Sequence, residues 1–346
     1  MIKVLHVLRD LSRNGGVQRL VFDMAMSSES KLDITVLVTN REAGEDYIDE
    51  LSCNGIVVHI ISRWNILAHF RLYRQFDIVH AHLFPALYLV GLFANRKVYT
   101  EHNTNNNRRN LPLAFIMEAF IYSRFQSVTC ITPEVKNSLC KFLKQEELNN
   151  TTVVYNGVDT DAFANRKKKI RGDDACNLAM IGSLTAKKDQ ETIIEALTHL
   201  DKNTVLHLAG NGERKKELMN IAIELEVADR VIFHGLINDI PSFLSDMDIY
   251  IQSSKFEGFG LAAVEAMAAG LPTLCADVPG LKELTGSELN LFPQGNSQVL
   301  AKKILTINEN KNFKDELLSI GIDTCNRFSL QNMNSNFHDV YAGLIK

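Results

Sequence analysis

Short runs of valine, isoleucine and leucine alternate with longer amphipathic stretches through most of the chain, which predicts β-strands joined by helices. The predicted strands form two series: 3–8, 33–39, 57–62, 77–82, 97–102 and 127–132, followed by 177–183, 204–209, 230–234, 248–253 and 272–276. Helix-length segments between them include Asp189–Leu200 and Lys215–Glu226. This alternation is typical of parallel sheets with crossover helices, so we expect an α/β fold.

A polar segment separates the two series and gives two expected domains, 1–165 and 166–326. The segment spans 156–175 and includes 165–174, a run rich in lysine and arginine. Such a composition is typical of a linker between domains. We expect its basic residues to be solvated, and contact with acidic lipid is the alternative.

The composition limits the classes of partner. The 346 residues, 46% hydrophobic and 23% charged, suffice for two domains with full cores. A net charge of −4 gives no electrostatic case for nucleic-acid binding. The six scattered cysteines, without metal-like spacing, are typical of reduced cysteines in a cytoplasmic protein. Because the longest apolar run, 84–94, is shorter than the roughly 20 residues of a membrane span, we expect any membrane association to be peripheral.

The most informative segment is 253–272, a strand end followed by a glycine-rich turn and a helix. Gly258 and Gly260 allow backbone conformations that other residues resist, and the helix start offers free N–H groups to an anion. Glu265 is the one polar residue in 261–271, and a carboxylate in such a helix needs a partner. Ligand hydroxyls are one such partner. Ordinary packing, with Glu265 facing solvent or a structural arginine, is the alternative.

The spacing of Glu257 and Glu265 is the signature of the retaining glycosyltransferases of family 4, which this chain closely resembles. The following turn, 276–284, also matches that family, and the resemblance covers nearly the whole chain. It implies the GT-B fold, in which two Rossmann-like doubly wound domains face each other across a cleft that holds the ligand. It also implies that the last helix, 327–346, packs back on the first domain.

The resemblance implies roles for residues of the second domain. Glu257 would hold hydroxyls of the donor sugar, Glu265 the ribose hydroxyls, and Lys188 the diphosphate. Ser183 stands where many members have arginine, which removes one positive charge. Other expected substrate contacts come from the glycine-rich turn and the nucleotide pocket: Gly258, Phe259, Gly260, Leu261, Gly212 and Leu236.

In the first domain, the turn Gly15-Gly16 lies between a strand and a helix, where backbone N–H groups can approach an anion. The resemblance places this turn under the donor diphosphate, with Arg19 as a further contact. It places His102, at the carboxyl end of a strand, against the transferred sugar. His80 and His82 match positions that are largely structural in the family.

The expected reaction is retaining transfer of a sugar from a nucleotide diphosphate, with UDP the expected nucleotide, to an acceptor hydroxyl. The resemblance implies a front-face mechanism, a glycan or lipid-linked acceptor, and a role in bacterial surface polysaccharide or glycolipid assembly. We expect no cofactor and no metal, because the two Asp-x-Asp sequences, 159–161 and 246–248, fit a turn and a strand start.

Basic and aromatic residues of the first domain, at 63–64, 70–74 and 108–109, could contact the inner face of the cytoplasmic membrane beside the acceptor. An ordinary helix covering a sheet is the alternative for 70–74.

Two other functions also stay open, a nucleotide-sugar epimerase of the same fold and a non-catalytic binding subunit. Nucleotide release measured with and without acceptor separates the three.

Overall fold

The computed structural model describes residues 1–13, 15–27, 31–41, 46–103, 114–145, 150–164 and 175–345. The chain divides into two compact units, Met1–Gly157 with Leu330–Lys346, and Val158–Ser329. Each unit is built around a parallel sheet with flanking helices, which confirms the predicted α/β class with two doubly wound domains. No helix in the described part of the chain is both long and apolar enough to cross a membrane.

The first unit has a seven-stranded parallel sheet in the order β3-β2-β1-β4-β5-β6-β7. Its strands are β1 (Ile2–Leu8), β2 (Leu32–Val38), β3 (Val58–Ile60), β4 (Ile78–His82), β5 (Lys97–Glu101), β6 (Ser127–Cys130) and β7 (Thr151–Val153). Its helices, numbered along the whole chain, are α1 (Gly16–Met26), α2 (Ile48–Cys53), α3 (Ile66–Tyr73), α4 (Ala86–Phe93), α5 (Ala114–Ser123), α6 (Pro133–Leu143) and the last helix, α15 (Leu330–Ile345).

The core of the first unit forms around β1 and β2, whose buried residues are apolar on both faces except for His6 and Thr35. All five residues from Val4 to Leu8 are buried in β1, as expected for a parallel strand covered by helices on both sides. The last helix contributes Leu330, Met333, Phe337 and Tyr341 to the same core.

The second unit has a six-stranded parallel sheet in the order β10-β9-β8-β11-β12-β13. Its strands are β8 (Cys176–Ile181), β9 (Thr204–Ala209), β10 (Val231–Gly235), β11 (Ile249–Gln252), β12 (Thr273–Ala276) and β13 (Leu291–Phe292). Its helices are α7 (Asp161–Ala164), α8 (Gln190–Ala196), α9 (Lys215–Glu224), α10 (Ile240–Ser245), α11 (Leu261–Ala268), α12 (Pro279–Thr285), α13 (Ser297–Glu309) and α14 (Lys311–Arg327). Two 3-10 turns, Leu197–His199 and Ala228–Arg230, complete it.

The strand order reverses at one place in each sheet. In the first unit the reversal lies between β1 and β4, and in the second between β8 and β11. Ligands of open α/β sheets bind beyond the carboxyl ends of the strands at such a reversal. The segments that follow β8 and β11 are therefore the expected place for a site in the second unit.

The unit boundaries fall a few residues from the expected ones, because the junction segment is tied to the second unit. The N–H of Val158 donates to the carbonyl of Phe328 over 2.9 Å, and Val158 pairs with Ser329 as an isolated bridge. The short α7 packs against α11. The polar run 165–174 lies outside the described residues.

Candidate active site

The turn after β11 is fixed by two glycines. Gly260 adopts a left-handed backbone with φ 96°, and a Cβ there would lie 2.7 Å from Leu281 Cδ2. A Cβ on Gly280 would lie 2.3 Å from the carbonyl oxygen of Glu257, so the start of α12 packs directly on the turn. Gly260 is therefore required by its backbone conformation, and Gly280 by the close approach of the Glu257 carbonyl. They fix where α11 begins, and the first N–H groups of a helix lack partners within it.

We expect Gly260→Ala to lower the free energy of unfolding by about 1–3 kcal/mol, because alanine resists positive φ and its methyl group would meet Leu281. The matched control is Gly343→Ala in α15, where a Cβ would have no neighbour within 4 Å. That change removes a glycine from a helix and should stabilise by about 0.5–1 kcal/mol. Urea denaturation measures both, and equal effects of the two substitutions would contradict this account of the turn.

Lys188 and Glu257 form an ion pair beside the strand reversal of the second unit. Lys188 Nζ lies 2.6 Å from Glu257 Oε2, and the two side chains are 22% and 16% exposed. The same oxygen accepts from Ser254 Oγ over 3.0 Å and from Gln252 Nε2 over 3.3 Å. Among the described residues, none donates to Glu257 Oε1. The protein therefore holds the carboxylate in place by one oxygen and leaves the other available to a ligand.

Buried residues hold Glu257 in place through a series of hydrogen bonds. Gln252 accepts from the hydroxyl of Tyr250 over 2.6 Å and donates to Ser254 over 2.8 Å. Gln252 and Ser254 are fully buried. Both residues can therefore orient Glu257, and their burial keeps them away from solvent. Neither residue was predicted from the sequence, although both lie at the carboxyl end of a predicted strand.

The backbone around Lys188 is held by the end of β11. Ser253 Oγ donates to the carbonyls of Lys188 and Asp189, over 3.0 and 2.9 Å. Lys255 Nζ lies 3.0 Å from Asp189 Oδ1, and its N–H donates to the carbonyl of Lys187. Asp189 has φ 53°, a left-handed conformation just before α8. The turn that carries Lys188 is therefore held in place by hydrogen bonds and an ion pair from the residues that follow β11.

The two glycine turns beyond β8 and β9 pack against each other. A Cβ on Gly212 would lie 2.3 Å from the carbonyl oxygen of Leu184, and the N–H of Leu184 donates to Asn211 over 3.0 Å. Gly212 is thus needed for close backbone approach, a role that the sequence did not predict. Ser183 is exposed next to this contact, and its Oγ lies 3.5 Å from Thr185 Oγ1.

The other predicted substrate contacts of the second unit occupy different environments. Glu265 lies partly buried on α11, one turn after Leu261. Leu236 follows β10 and is 59% exposed. Phe259 is 3% exposed and its ring packs edge-on against Phe328, with centroids 5.0 Å apart. Its side chain therefore belongs to the core, and only its backbone can face a ligand. Gly258 precedes it in the turn and is partly exposed.

In the first unit, Gly15 caps α1 and Gly16 is its first residue. The carbonyl of Gly15 accepts from the N–H of Arg19 over 3.0 Å. The guanidinium of Arg19 is paired with Asp23, with Nε to Oδ1 at 2.8 Å, and lies over the ring of Phe22. An anion bound at Arg19 would therefore share the guanidinium group with the carboxylate of Asp23.

His102 follows β5 and is 6% exposed. Its Nε2 lies 3.1 Å from His82 Nδ1, and its Nδ1 has no hydrogen-bond partner among the described residues. Burial lowers the pKa of His102 to about 3, so its imidazole is neutral at physiological pH. The neighbouring Glu101 points the other way, as strand alternation predicts, and accepts from the hydroxyl of Tyr122.

A cavity of about 400 Å³ lies at the carboxyl ends of the first four strands of the first unit. Its lining is polar, basic and aromatic: Arg9, Thr39, Asn40, Ser62, Arg63, Trp64, Phe84 and Pro85. Arg63 stacks on Trp64, 4.9 Å from the ring centroid. Such a lining suits a sugar or another polar ligand. Arg108 and Arg109, the expected acceptor neighbours, lie outside the described residues.

Two doubly wound units, with a lysine–glutamate pair at the strand reversal of the second, define a class of two-domain α/β protein. Two family models match this chain more specifically. Residues 14–162 match the model described as glycosyltransferase family 4, and residues 161–321 match glycosyl transferases group 1. Together the two matches span residues 14–321, so the chain belongs to the glycosyltransferases that these two models describe, as its sequence predicted.

Relatives agree with this assignment, and a solved structure agrees with the fold. The O-antigen biosynthesis glycosyltransferase WclY of Escherichia coli is 28% identical over 201 residues, which cover 56% of this chain and 56% of WclY. A second E. coli protein, the UDP-Gal:alpha-D-GlcNAc-diphosphoundecaprenol alpha-1,3-galactosyltransferase, is 26% identical, covering 84% of this chain and 83% of that one. The crystal structure of Anabaena HepE in complex with UDP has a TM-score of 0.85 at 21% identity, covering 99% of this chain and all of HepE.

Proposed function

We propose that this protein is a retaining glycosyltransferase that moves a sugar from a UDP-sugar to a hydroxyl of a glycan or lipid-linked acceptor. The observation that carries the proposal is the Lys188–Glu257 pair, held beside the start of α11 at the strand reversal. A lysine ammonium and a helix N-terminus are both suited to a diphosphate. A braced carboxylate with one open oxygen is suited to sugar hydroxyls.

In the proposed reaction, the bond between the anomeric carbon and the diphosphate oxygen breaks while the acceptor oxygen attaches on the same face. The leaving phosphate oxygen takes the acceptor proton. Lys188 and the N–H groups at the start of α11 would stabilise the departing negative charge. Glu257 is ion-paired and accepts two further hydrogen bonds, which makes it a weak nucleophile. This supports the front-face route over a covalent glycosyl-enzyme.

Relatives support UDP as the nucleotide and surface glycans as the product class. The name of one E. coli relative specifies UDP-Gal and a diphosphoundecaprenol-linked acceptor, WclY is named for O-antigen biosynthesis, and the HepE structure contains UDP. The six free cysteines are consistent with the cytoplasmic location that we propose. Gly15, Gly16 and Arg19 keep the diphosphate-binding role that the resemblance implies.

The nucleotide of the donor is tested by measuring the melting temperature of the protein with each of a panel of nucleotide sugars. We expect UDP-sugars to raise the melting temperature more than GDP- or ADP-sugars, because ligands that bind only the folded state stabilise it. A second assay follows release of UDP. Release that depends on an acceptor supports transfer, epimerised donor without release identifies an epimerase, and binding without turnover identifies a non-catalytic subunit.

Glu265 should serve the nucleotide. We expect Glu265→Ala to weaken binding of free UDP by about 10- to 100-fold, because hydrogen bonds to a charged group contribute about 1.5–3 kcal/mol. Glu257→Gln is the matched control, since its proposed partner is the sugar and the substitution frees Lys188 from its ion pair, so free UDP should bind it at least as well as wild type. Isothermal titration calorimetry measures both. Unchanged UDP affinity in Glu265→Ala would assign this glutamate to packing.

The segment 64–74, which contains α3, supports peripheral contact with a membrane. Trp64 is 78% exposed, Leu67 58% and Phe70 37%. Arg71 and Arg74 are exposed on the same short segment, and Arg74 stacks over Phe70 at 4.4 Å. Apolar and aromatic side chains beside basic ones are suited to an anionic lipid surface.

We therefore expect the protein to bind phosphatidylglycerol vesicles, and to bind them less at high salt because the attraction is screened. The double variant Arg71→Gln/Arg74→Gln should reduce binding, at about 1 kcal/mol per basic residue. Lys202→Gln/Lys216→Gln, two exposed lysines of the second unit, is the control. Vesicle flotation measures all three proteins, and no binding at any salt concentration would rule out this contact.

A further inference from the structure

Three buried histidines form a continuous chain in the first unit. His6 of β1 and His82 of β4 are joined by a 2.9 Å contact between Nδ1 and Nε2. His82 is joined in turn to His102, with Nδ1 and Nε2 3.1 Å apart. His6 and His82 are fully buried and His102 is 6% exposed. The two ends of the chain, His6 Nε2 and His102 Nδ1, are buried without a partner among the described residues.

The chain allows only two arrangements of its protons. Burial lowers the pKa of His6 and His102 to about 3 and that of His82 well below its usual value, so each ring is neutral and carries one N–H. A neutral His82 must therefore donate to one neighbour and accept from the other. Either every N–H points toward His6, or every N–H points toward His102. One end then holds an N–H without a partner and the other holds a bare lone pair.

The two ends differ in what can reach them. His6 lies in the middle of β1 and is fully buried, whereas His102 follows the carboxyl end of β5. Buried N–H groups without a partner are rarer in proteins than buried acceptors without one. The arrangement that leaves the lone pair at His6 is thus favoured, because a ligand oxygen can accept the N–H at His102.

We propose that His6 and His82 are positioning residues that hold His102 as an Nδ1–H tautomer, so that His102 presents a hydrogen-bond donor to a ligand oxygen. The group that it recognises must carry a lone pair, such as a sugar hydroxyl or ring oxygen. The identity of this ligand as the transferred sugar rests on the proposed function, whereas the tautomer does not.

His80 is adjacent but outside the chain. Its Nδ1 lies 2.6 Å from the hydroxyl of Tyr341 and its Nε2 2.6 Å from Thr100 Oγ1. His6, His80 and His82 are close enough together to hold a metal ion, with ligand atoms within 4.8 Å. Coordination would break hydrogen bonds of His80 and His82, because both ring nitrogens of each already have a partner. A metal site would direct ring nitrogens of His6, His80 and His82 toward the ion, whereas the proposed chain uses ring nitrogens of His6 and His82 for the hydrogen bonds that reach His102. NMR distinguishes the two.

Nitrogen-15 NMR of the full chain, labelled at histidine, tests the proposal at neutral pH. We expect protonated Nδ1 and bare Nε2 on all three rings of the chain. In His6→Met the sulfur can only accept, so His82 should take its proton on Nε2 and His102 should change to the Nε2–H tautomer. His80→Gln, equally buried but outside the chain, should leave His102 unchanged.

Activity gives a second readout that packing alone would not produce. His6→Met should lower kcat/KM by about tenfold, the effect of one lost hydrogen bond, while free UDP binds as in wild type. Loss of UDP binding by the wild-type protein would contradict the proposed function but not the tautomer. An Nε2–H tautomer at His102 in the wild type, an unchanged tautomer in His6→Met, or metal-shifted nitrogens on His6, His80 and His82 would each overturn the proposal. If His6→Met does not fold, the tautomer of His102 in the wild-type spectrum still tests the proposal.

Discussion

Glu257→Gln should lower turnover by about 100- to 1,000-fold, the loss seen when one preorganised site contact is removed. The substitution keeps the size of the side chain, and Ser254 and Gln252 can still contact it. It removes the charge that faces Lys188 and weakens the acceptor at Oε1. Steady-state release of UDP in the presence of acceptor measures the effect.

Glu288→Gln is the matched control for this substitution. Glu288 pairs with Lys282 over 2.7 Å, but its side chain is 74% exposed at the surface. Loss of an exposed ion pair has little effect on stability, so this variant should keep nearly full turnover. A folded Glu257→Gln enzyme with turnover close to that of Glu288→Gln would remove Glu257 from the reaction.

Lys188→Ala should lose most of the turnover, with a reduction of about 100-fold or more. In the proposed reaction the diphosphate leaves with negative charge, and Ser183 offers no cation where the family resemblance implies arginine in many members. We therefore expect Lys188 to carry more of the neutralisation. Lys187→Ala is the control because Lys187 is exposed and only its backbone braces the turn, through the carbonyl that accepts from Lys255.

Chelation separates this electrostatic role from metal catalysis. If Lys188 and backbone N–H groups meet the charge of the diphosphate, activity should survive exhaustive treatment with EDTA. A strict requirement for added Mg²⁺ or Mn²⁺, or an unaffected Lys188→Ala enzyme, would show that another group neutralises the leaving phosphate.

The alternation of apolar runs was enough to predict the fold class and eleven strands, because strands buried on both faces are almost continuously apolar. The two strands it missed, β7 and β13, are short edge strands of three and two residues. Such segments are too short to show a period. The helix predicted for 189–200 ends earlier, at Ala196, and continues as a 3-10 turn because local hydrogen bonding tightens the last turn.

The candidate site was predictable only in part. Glycines and carboxylates in the turn at 257–260 are visible in the sequence, and their place between a predicted strand and a predicted helix is typical of a ligand-binding turn. Contacts between distant segments are not visible. The pairing of Lys188 with Glu257, its support by Gln252, and the chain from His102 to His6 all depend on which strands become neighbours. The burial of Phe259 against Phe328 likewise follows from tertiary packing.

The configuration of the product at the transferred anomeric carbon tests the central claim most directly. The purified product of a UDP-sugar and an acceptor is analysed by proton NMR, and the anomeric coupling is compared with that of the donor. We predict the same configuration in product and donor, with no product when acceptor is omitted. An inverted product, or a sugar released at the same rate without acceptor, would contradict retaining transfer.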